Sequence, residues 1–473
     1  MSPFKRVPPM SDFSGSRAVT LEEVLALRDA RSSRQKQLLA EYGCPLVCLS
    51  LNIAGEYKTF PLALRCFREA ERFIRLSLES WNIKIRYTET QVEPAGYTAY
   101  FCAEAAPGLL KTIAAGIEKT HALGRLLDID VLRPDGEKLS RLDSGGAPRS
   151  CFVCGKNAFV CARERSHAPG ELEEAMAAIM TGWLRQDLAG RVQAAALRAL
   201  MEEAAVSPKP GLVDRRNSGA HRDMDFFSFI DSSAAILPYF TECALRGFDS
   251  ETPARELFDS LRPGGRLAER RMLYATGGVN VHKGIIFSFG VLCSAFGRLY
   301  RMEESPSPEA HRNLCRDMCS HLLEDFAGVN IQNARSAGER LYASGGISGI
   351  RGEVSRGFPH VFECSLPVLR RLLEKGHTLN DAGAAALLSL IANVEDTNII
   401  NRSSVDALRL IQKQTQAFLD TGPAMEQILR FAAETDTRFI KDNISPGGCA
   451  DLLAVTYFVY HIFFEKGKAA PSK

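Results

Sequence analysis

The sequence lacks an excess of charge of one sign, an apolar leader and a membrane-spanning tail. Its 58 Lys and Arg residues nearly balance 56 Asp and Glu residues, which leaves a formal net charge of +2. A general nucleic-acid binder needs a basic excess to displace counterions from phosphates, so we expect no nucleic-acid partner. Residues 1–17 are polar, and the apolar segment 452–464 is too short to span a bilayer and contains His461. We therefore expect no membrane partner and predict that segment 452–464 is a buried core helix.

The sequence also lacks the pattern of a disulfide scaffold, an internal repeat and a long low-complexity linker. Its 13 cysteines are an odd number, and most are scattered singly along the chain. Dispersed, unpaired cysteines in a long chain are typical of reduced cytosolic proteins, so we predict a cytoplasmic location. With 45% hydrophobic and 24% charged residues, the 473-residue chain has the composition of a folded protein of two or three domains.

The two halves of the chain show different patterns. After a segment 1–18 that we expect to be flexible, helical and strand-like runs alternate over 19–184. From 185 to 473, Ala- and Leu-rich helical patterns are separated by loops rich in Gly, Asn, Asp and His. We predict a multidomain fold in which an N-terminal α/β (α+β) domain precedes an all-α domain.

Local signals locate the elements of the first half. Thr20 and Glu23 have capping-box spacing before a helix that should end near Gly43. The pattern predicts helices over 61–80 and from Pro107 onward. Strand-like runs occur at LVCLSLNI, IKIRYTETQV, YTAYFCAE and LLDIDVL.

Asp128 and Asp130 form a carboxylate pair in the last of these strands. Residues two apart on a strand point to the same face, so both side chains should share one side of the sheet. Such a pair is a platform for Mg²⁺, with a phosphate completing the metal shell. The alternative is an edge strand whose solvent face is charged.

A cysteine-rich segment follows this strand. Cys151, Cys154, Cys161 and His167 lie within seventeen residues and could hold a tetrahedral structural Zn²⁺, although their spacing is not that of a standard finger. The alternative is four ordinary loop residues. Arg149 adds positive charge suited to a phosphate-bearing ligand.

Asn52 and Lys58 follow the first predicted strand, at its carboxyl end. Loops in this position commonly bind ligands in α/β sheets, and Lys58 could reach a phosphate. A solvated turn is the alternative interpretation.

Four loops of the second half carry dense polar residues. Segment 207–225 contains Asn217, Ser218, His221, Asp223 and Asp225, more geometry-demanding side chains than a plain connection requires. The motif GGVNVHKG, which contains Asn280 and His282, could cradle a phosphate, because its glycines expose backbone N–H groups and Lys283 begins an apolar helix.

The other two loops are EDTNIINR and SPGGCAD. Asp396, Asn398 and Arg402 lie near one helix end, and Asp451 follows two glycines that begin another helix. Carboxylates at several helix ends can converge on Mg²⁺–triphosphate. Helix capping explains each loop separately, but four such loops in one apolar helical domain favour an active site.

These four loops resemble the triphosphoribosyl-dephospho-CoA synthases, which make the precursor of the citrate lyase prosthetic group. The resemblance covers 189–466 and is carried by PKPGLVDRRNSGAHRDMD, GGVNVHKG, EDTNIINR and SPGGCADLLA. The segment 19–184 is similar to the apo-citrate lyase phosphoribosyl-dephospho-CoA transferases through VCLSLNIAGEYK, IEKTHALGRLLDIDVL and RSCFVCGKNAFVCARERSH. The two resemblances imply a natural fusion of two consecutive enzymes.

For the second half the resemblance implies that ATP and 3′-dephospho-CoA react to give 2′-(5″-triphosphoribosyl)-3′-dephospho-CoA and adenine. The transition state of such a glycosyl transfer is oxocarbenium-like, so the site must stabilise positive charge, deprotonate a hydroxyl and protonate a base. We assign Asp223 or Asp225 to the hydroxyl or the cation, and Asp396 and Asp451 to Mg²⁺. Lys209, Lys283 and Arg402 would bind the triphosphate, His221 and His282 would protonate adenine or bind phosphate, and Asn217, Ser218, Asn280 and Asn398 would contact substrate.

For the first half the resemblance implies a nucleotidyltransferase-like domain that moves phosphoribosyl-dephospho-CoA onto a serine of the apo acyl carrier (gamma) subunit of citrate lyase and releases pyrophosphate. Asp128 and Asp130 then become candidate catalytic and Mg²⁺-binding residues. Lys58, Arg125 and Arg149 would contact the triphosphate, with Asn52 beside them.

Two other functions fit the same residues. The helical half could hydrolyse a nucleoside or ADP-ribose-type glycosidic bond, with water in place of the CoA hydroxyl. Alternatively, the first half could be a zinc-stabilised module that only docks the carrier protein, which would leave Asp128 and Asp130 without a role.

Overall fold

A computed structural model describes residues 16–140, 149–303, 305–326, 332–334 and 337–465. The chain divides into two compact units, Met1–Gln186 and Asp187–Lys473. The sequence analysis placed the junction between the two catalytic domains at 184/185, and the assignment of one activity to each domain stays a prediction. Of the segment expected to be flexible, only 16–18 lies within the described residues.

The first unit builds a four-stranded antiparallel sheet in which Ile85–Glu93, Gly96–Ala103, Leu46–Leu51 and Leu127–Leu132 are neighbours in that order. Its elements in chain order are α1 (Leu21–Tyr42), β1 (Leu46–Leu51), α2 (Pro61–Ser80), β2 (Ile85–Glu93), β3 (Gly96–Ala103), α3 (Pro107–Thr120), β4 (Leu127–Leu132), α4 (Ala158–Glu164) and α5 (Pro169–Ala205), whose residues from Asp187 onward belong to the second unit. Because β4 pairs with β1 alone among the described strands, it forms an edge of the sheet.

The local signals of the first half are confirmed. Thr20 and Glu23 form the reciprocal capping box of α1, and Gly43 ends that helix with a positive φ of 63°, a conformation in which glycine avoids Cβ strain. Pro61 and Pro107 open α2 and α3, where a missing backbone N–H costs nothing. The predicted strands all appear, with ends shifted by one or two residues.

The second unit is built from helices, and no strand occurs among its described residues. After the end of α5 come α6 (Phe226–Asp249), α7 (Ala254–Ala275), α8 (Lys283–Met302), α9 (Pro308–Cys319), α10 (Ala337–Gly345), α11 (Gly349–Ser355), α12 (Leu366–Glu374), α13 (Leu379–Asn393), α14 (Thr397–Arg402), α15 (Val405–Asp420), α16 (Met425–Lys441) and α17 (Gly447–Phe463). A 3₁₀ turn occupies Leu322–Phe326, and a π-helical turn occupies Val361–Ser365, directly before α12.

Helices α8, α13 and α17 form the core of this unit. Most residues of each are buried, and α17 confirms the prediction of a buried apolar helix near the carboxyl end. Among the described helices, α8 alone is long and apolar enough to cross a membrane, but 72% of its apolar window is buried inside the protein. Burial of this extent is expected of a core helix, because a core helix is apolar on all sides.

Candidate active sites

The four polar loops of the second unit meet at one cavity of about 690 Å³. Each loop sends side chains to its wall. These include Lys209 and His221 from the first loop, Asn280, His282 and Lys283 from the second, Asp396, Asn398 and Arg402 from the third, and Ser445 and Asp451 from the fourth. The arrangement brings carboxylates, cations and imidazoles to one pocket of nucleotide size.

Asp451 is the least compensated charge in this cavity. It lies in the first turns of α17, and no hydrogen bond or ion pair reaches its carboxylate from the described residues. Burial, together with the nearby carboxylates of Glu203 and Asp396, raises its pKa well above the usual range. A Cβ at Gly284 would lie 2.0 Å from its Oδ2, so the carboxylate sits directly against the start of α8.

Asp396 joins two helix starts. As the N-cap of α14 it accepts hydrogen bonds from the backbone N–H groups of Asn398 (2.8 Å) and Ile399 (3.3 Å). Its other oxygen accepts the N–H of Cys449 in α17 at 2.8 Å. Burial raises the pKa of this carboxyl despite these hydrogen bonds. Capping is therefore part of its role, and because Oδ1 already accepts two hydrogen bonds, a further ligand would bind through Oδ2.

Lys209 is fully buried and bound to Glu203. Its Nζ donates to Glu203 Oε1 at 2.6 Å and to the Glu203 carbonyl at 2.8 Å. The ion pair neutralises both groups at the cavity wall, because a buried charge requires a partner. The sequence analysis assigned Lys209 to the triphosphate but did not identify Glu203.

His221 is held between a donor and an acceptor. Arg402 donates to Nδ1 (3.2 Å), which makes Nε2 the protonated nitrogen and directs it to the Ser445 hydroxyl at 2.8 Å. Burial and the neighbouring Arg402 lower the pKa of this imidazole. His221 is therefore neutral near pH 7.

His282 is also neutral and is almost completely buried. Its Nδ1 lies 2.7 Å from the Ser232 hydroxyl, and its Nε2 has no partner among the described residues. Burial lowers its pKa to about 3. Asn280 accepts the backbone N–H of Lys283 at 3.2 Å, and the exposed Lys283 ammonium lies 3.3 Å from Glu269.

The structure does not bring every predicted residue of the first loop to the cavity wall. Asp225 is the N-cap of α6, and Asp223 is mostly exposed, 3.9 Å from His221. Asn217 binds Asp436 at 3.0 Å, and Ser218 also lies outside the lining. Their catalytic and substrate-binding roles stay predictions.

Several cavity residues that follow α10 lie outside the motifs recognised in the sequence. Glu353, Arg356 and His360 line the wall, as does Arg409 of α15. The signal was the stretch 345–357, which has five glycines in thirteen residues, more than any of the four recognised loops. It contains no aspartate, unlike three of those four loops.

The first unit has its own cavity, of about 1300 Å³. Its lining is strongly basic. The cations and polar residues that line it include Arg28, Arg31, Asn52, Lys58, Arg125, Arg149 and Arg165, together with the carboxylate of Asp128. Such a lining suits a ligand that carries several phosphates.

Asp128 and Asp130 are both paired with cations. Asp130, with only 9% of its surface exposed, contacts Arg31 of α1 (3.2 Å) and Lys138 (2.7 Å). Asp128 contacts Arg149 at 3.1 Å. The strand is an edge strand, yet helix α1 reaches its acidic face through Arg31, so this face is not simply solvated. Because cations already occupy both carboxylates, this geometry does not favour a Mg²⁺ shared by the pair, and that site stays a prediction.

Arg149 connects the cavity to the sheet edge. It donates to the Leu127 carbonyl (2.6 Å) and binds the buried Glu118 carboxylate, which itself accepts the backbone N–H of Ile129. Arg125 donates to the carbonyls of Ser150 and Cys151 at 2.8 and 2.7 Å. Both arginines are therefore positioned by backbone carbonyls at one side of the cavity.

Lys58 lines the same cavity of the first unit. Its ammonium donates to the Ile53 carbonyl at 2.7 Å, and burial together with the nearby Arg28 lowers its pKa. The sequence analysis missed Arg28 and Arg31. Their spacing could have identified them, because Arg28 and Arg31 lie on the same face of α1 as the lining residues Val24 and Leu27.

Four side chains of the cysteine-rich segment lie together as the ligands of a metal site do. The ligand atoms of Cys151, Cys154, Cys161 and His167 lie within 4.8 Å of one another, and the sulfurs of Cys154 and Cys161 are 3.5 Å apart. Around Zn²⁺ with Zn–S bonds of about 2.3 Å, tetrahedral S···S edges are about 3.8 Å. His167 Nε2 is buried without a partner among the described residues, and Nδ1 faces Glu171 at 4.0 Å. The donor set therefore fits zinc.

Each of the two compact units thus has its own nucleotide-sized cavity with cationic side chains in its wall, as is typical of an enzyme that binds phosphorylated ligands at two sites. The family model described as CitX, apo-citrate lyase phosphoribosyl-dephospho-CoA transferase, matches 19–183. The model described as CitG, ATP:dephospho-CoA triphosphoribosyl transferase, matches 189–468. The chain belongs to the CitXG family, in which both domains are fused in one polypeptide.

Several relatives are similar over long stretches. Protein CitXG of Haemophilus influenzae is 34% identical over 93% of this chain and 96% of its own length. Protein CitXG of Leuconostoc mesenteroides subsp. cremoris is 33% identical over 95% and 98%. The 2-(5″-triphosphoribosyl)-3′-dephosphocoenzyme-A synthase of Pectobacterium atrosepticum is 40% identical over 56% of this chain and 86% of its own.

Proposed function

We propose that the second unit makes the prosthetic-group precursor of citrate lyase and that the first unit attaches it to the carrier protein. The chain is thus a bifunctional transferase of prosthetic-group maturation. The assignment of one reaction to each unit rests on one observation. Each family match coincides with one compact unit that has its own charged cavity. We further propose that it acts in the cytoplasm, without nucleic-acid or membrane partners.

In the second unit, the ribose 2′-hydroxyl of dephospho-CoA would attack C1 of the ATP ribose as the bond to adenine breaks. Arg402, Arg409 and Lys283 are the cations at the cavity wall that would bind the triphosphate. The carboxylates of Asp396 and Asp451 are suited to stabilise the positive charge that develops on the ribose.

Mg²⁺ fits this cavity better than it fits the first unit. Glu203, Asp396 and Asp451 gather negative charge there, and Lys209 compensates only part of it. Mg²⁺ in nucleotide sites is held by one or two carboxylates plus substrate phosphates, so Asp451 and Asp396 would hold it together with the triphosphate. Bound Mg²⁺ would neutralise part of the negative charge of the triphosphate.

In the first unit, the serine hydroxyl of the apo acyl carrier subunit would attack the phosphorus nearest the ribose, and the bond to pyrophosphate would break. Arg149, Arg125 and Lys58 would neutralise the charge that collects on the leaving pyrophosphate. Asp128 faces the same cavity and is the carboxylate best positioned to interact with the attacking hydroxyl.

Mass spectrometry of the carrier subunit tests both assignments together. After incubation with this protein, ATP and dephospho-CoA, we expect a mass gain equal to the phosphoribosyl-dephospho-CoA group. Adenine release that does not depend on dephospho-CoA would instead indicate a glycosidic hydrolase. A carrier that binds but gains no mass, with no pyrophosphate released, would indicate a docking module.

We also propose that Cys151, Cys154, Cys161 and His167 hold one structural Zn²⁺. Burial raises the pKa of the Cys151 thiol, but backbone N–H groups of Cys154 and Val153 lower it by more, and the net decrease favours the thiolate a metal requires. Burial and the two neighbouring sulfurs raise the pKa of Cys161 to about 11, so its proton would have to leave when the metal binds. The metal would fix the loop whose carbonyls receive Arg125, and so the wall of the first cavity.

Elemental analysis should find one zinc per chain, and Cys161→Ser should lose it. We expect this variant to lower the melting temperature of the first unit and to slow carrier loading, while adenine release stays unchanged. Cys66→Ser is the matched control, because Cys66 is buried within α2, away from the cluster. Full zinc content in Cys161→Ser would contradict the site.

A further inference from the structure

An acidic residue and a histidine that the four polar loops do not include lie side by side in the second unit's cavity. Glu353 of α11 is 4% exposed, and His360 lies just before the π-helical turn. Glu353 Oε2 is 2.7 Å from His360 Nδ1, and Oε1 accepts the His360 backbone N–H at 2.9 Å. One carboxylate therefore fixes both the ring and the backbone of His360.

The surrounding backbone holds this pair in place. The π-helical turn that begins at Val361 contains Ser365, whose hydroxyl is 2.6 Å from that of Thr456 in α17. Glycine is needed at the start of α11, because Gly349 has a φ of 50° and a Cβ there would lie 3.0 Å from Thr397. Single π-helical turns inside α-helices occur frequently at functional sites.

Of the three imidazoles that line the cavity, His360 alone is arranged to carry a proton. Arg402 occupies Nδ1 of His221, and His282 is buried against Ser232, so both rings are neutral. At His360 the hydrogen bond to Glu353 outweighs burial and raises the pKa of the ring, with Glu363 adding to this effect and Arg356 opposing it. When the ring is protonated, Nδ1–H donates to Glu353 and Nε2–H is available to a ligand, because none of the described residues accepts a hydrogen bond from it.

We propose that His360 is the general acid that protonates the departing adenine, with Glu353 as its positioning residue. The inference rests on the proposed synthase activity of the second unit. As the ribose C1 bonds to the 2′-oxygen of dephospho-CoA, the C1–N9 bond breaks and its electron pair passes to adenine. A ring nitrogen of adenine takes the Nε2 proton, the hydroxyl proton is released to water, and the imidazole regains a proton from solvent. This role replaces the one that we assigned to His221 and His282 from the sequence.

Kinetics of adenine release from ATP and dephospho-CoA test the inference. We expect His360→Ala to lower kcat roughly 100-fold, as is usual for loss of a general acid, with KM for ATP nearly unchanged. Added imidazole should restore much of the lost rate in this variant. His360→Asn, which keeps an N–H near the Nδ1 position, should be as slow but remain fully folded. His377→Ala is the matched control, because His377 is a loop residue outside the cavity lining.

Glu353→Gln separates positioning from a merely structural role. Wild-type activity should fall as the pH rises through the pKa of His360, because the acid must be protonated. Without the carboxylate that pKa is lower, so the fall should move to lower pH in Glu353→Gln. Loading of the carrier from preformed intermediate should be unchanged in every variant.

The outcomes distinguish this inference from the proposed function. No adenine release by the wild-type protein would contradict the synthase activity itself. Adenine release within threefold of wild type in His360→Asn, or a folded His360→Ala that imidazole does not rescue, would overturn the inference and leave the synthase activity intact.

Discussion

Asp451→Asn should slow adenine release at least roughly 100-fold while making the protein more stable. The wild-type carboxylate is half-buried beside two other acidic groups, and no described residue pairs with it. Removing a preorganised charge that stabilises the transition state typically costs roughly 100- to 1000-fold in kcat. Removing a half-buried, uncompensated charge should raise the free energy of unfolding by about 1 kcal/mol, in the range of typical stabilising substitutions. A substitution that lowers activity and raises stability indicates that the wild-type residue serves catalysis rather than folding.

Single-turnover adenine release and thermal unfolding measure the two effects. Asp442→Asn is the matched control, since this exposed aspartate ends α16 outside the cavity lining. Gly284→Ala gives an independent check, because its methyl group would overlap the Asp451 carboxylate. We expect the same loss of adenine release there, with stability lowered instead of raised. An active Asp451→Asn protein would contradict the assignment of Asp451.

Asp396 would be a poorer first test. It caps α14 and binds the first turn of α17, so Asp396→Ala removes hydrogen bonds from two helix starts at once. Loss of a helix cap alone costs about 1 kcal/mol. A loss of activity in that variant could therefore come from displacement of the loops rather than from loss of a ligand.

Local sequence signals were sufficient to predict most of the secondary structure of the first unit. Capping at Thr20, proline at helix starts and β-branched runs act over a few residues, and each of these signals was confirmed. The polar loops could be recognised as unusual for the same reason. That the loops form one site was inferred from the number of loops and the density of polar residues in them. The structure brings side chains of all four loops together at one cavity.

Contacts between side chains that lie far apart in the sequence could not be predicted from it. Asp130 is bound by Arg31, ninety-nine positions earlier, and nothing near the strand indicates this partner. His221 and His282 have the same ordinary imidazole pKa in a sequence, and only their neighbours make both neutral. The ion pair of Lys209 and Glu203 likewise appears only once the chain turns back on itself. Roles that depend on protonation state therefore required the fold.

Arg149→Lys should slow carrier loading roughly 30-fold, since a lysine cannot reproduce the planar, several-fold hydrogen bonding of a guanidinium at a phosphate site. In the structure one Arg149 nitrogen contacts Asp128, the Glu118 carboxylate and the Leu127 carbonyl. We expect little change in stability, because lysine keeps a positive charge near the buried Glu118. Arg149→Met should stop loading and also lower the free energy of unfolding by about 3 kcal/mol, because Glu118 loses that cation.

The measurement is transfer of preformed intermediate to the carrier subunit, followed by mass spectrometry and pyrophosphate release. Arg133→Gln is the matched control, because Arg133 lies just after the same strand, is exposed and pairs only with Glu137 among the described residues. Adenine release should be unaffected in all three variants, because the second cavity shares no lining residue with the first. Equal loss of both activities in Arg149→Lys would contradict two independent sites, and unchanged loading would remove Arg149 from the site. Loss of loading alone would locate pyrophosphate departure in the first unit.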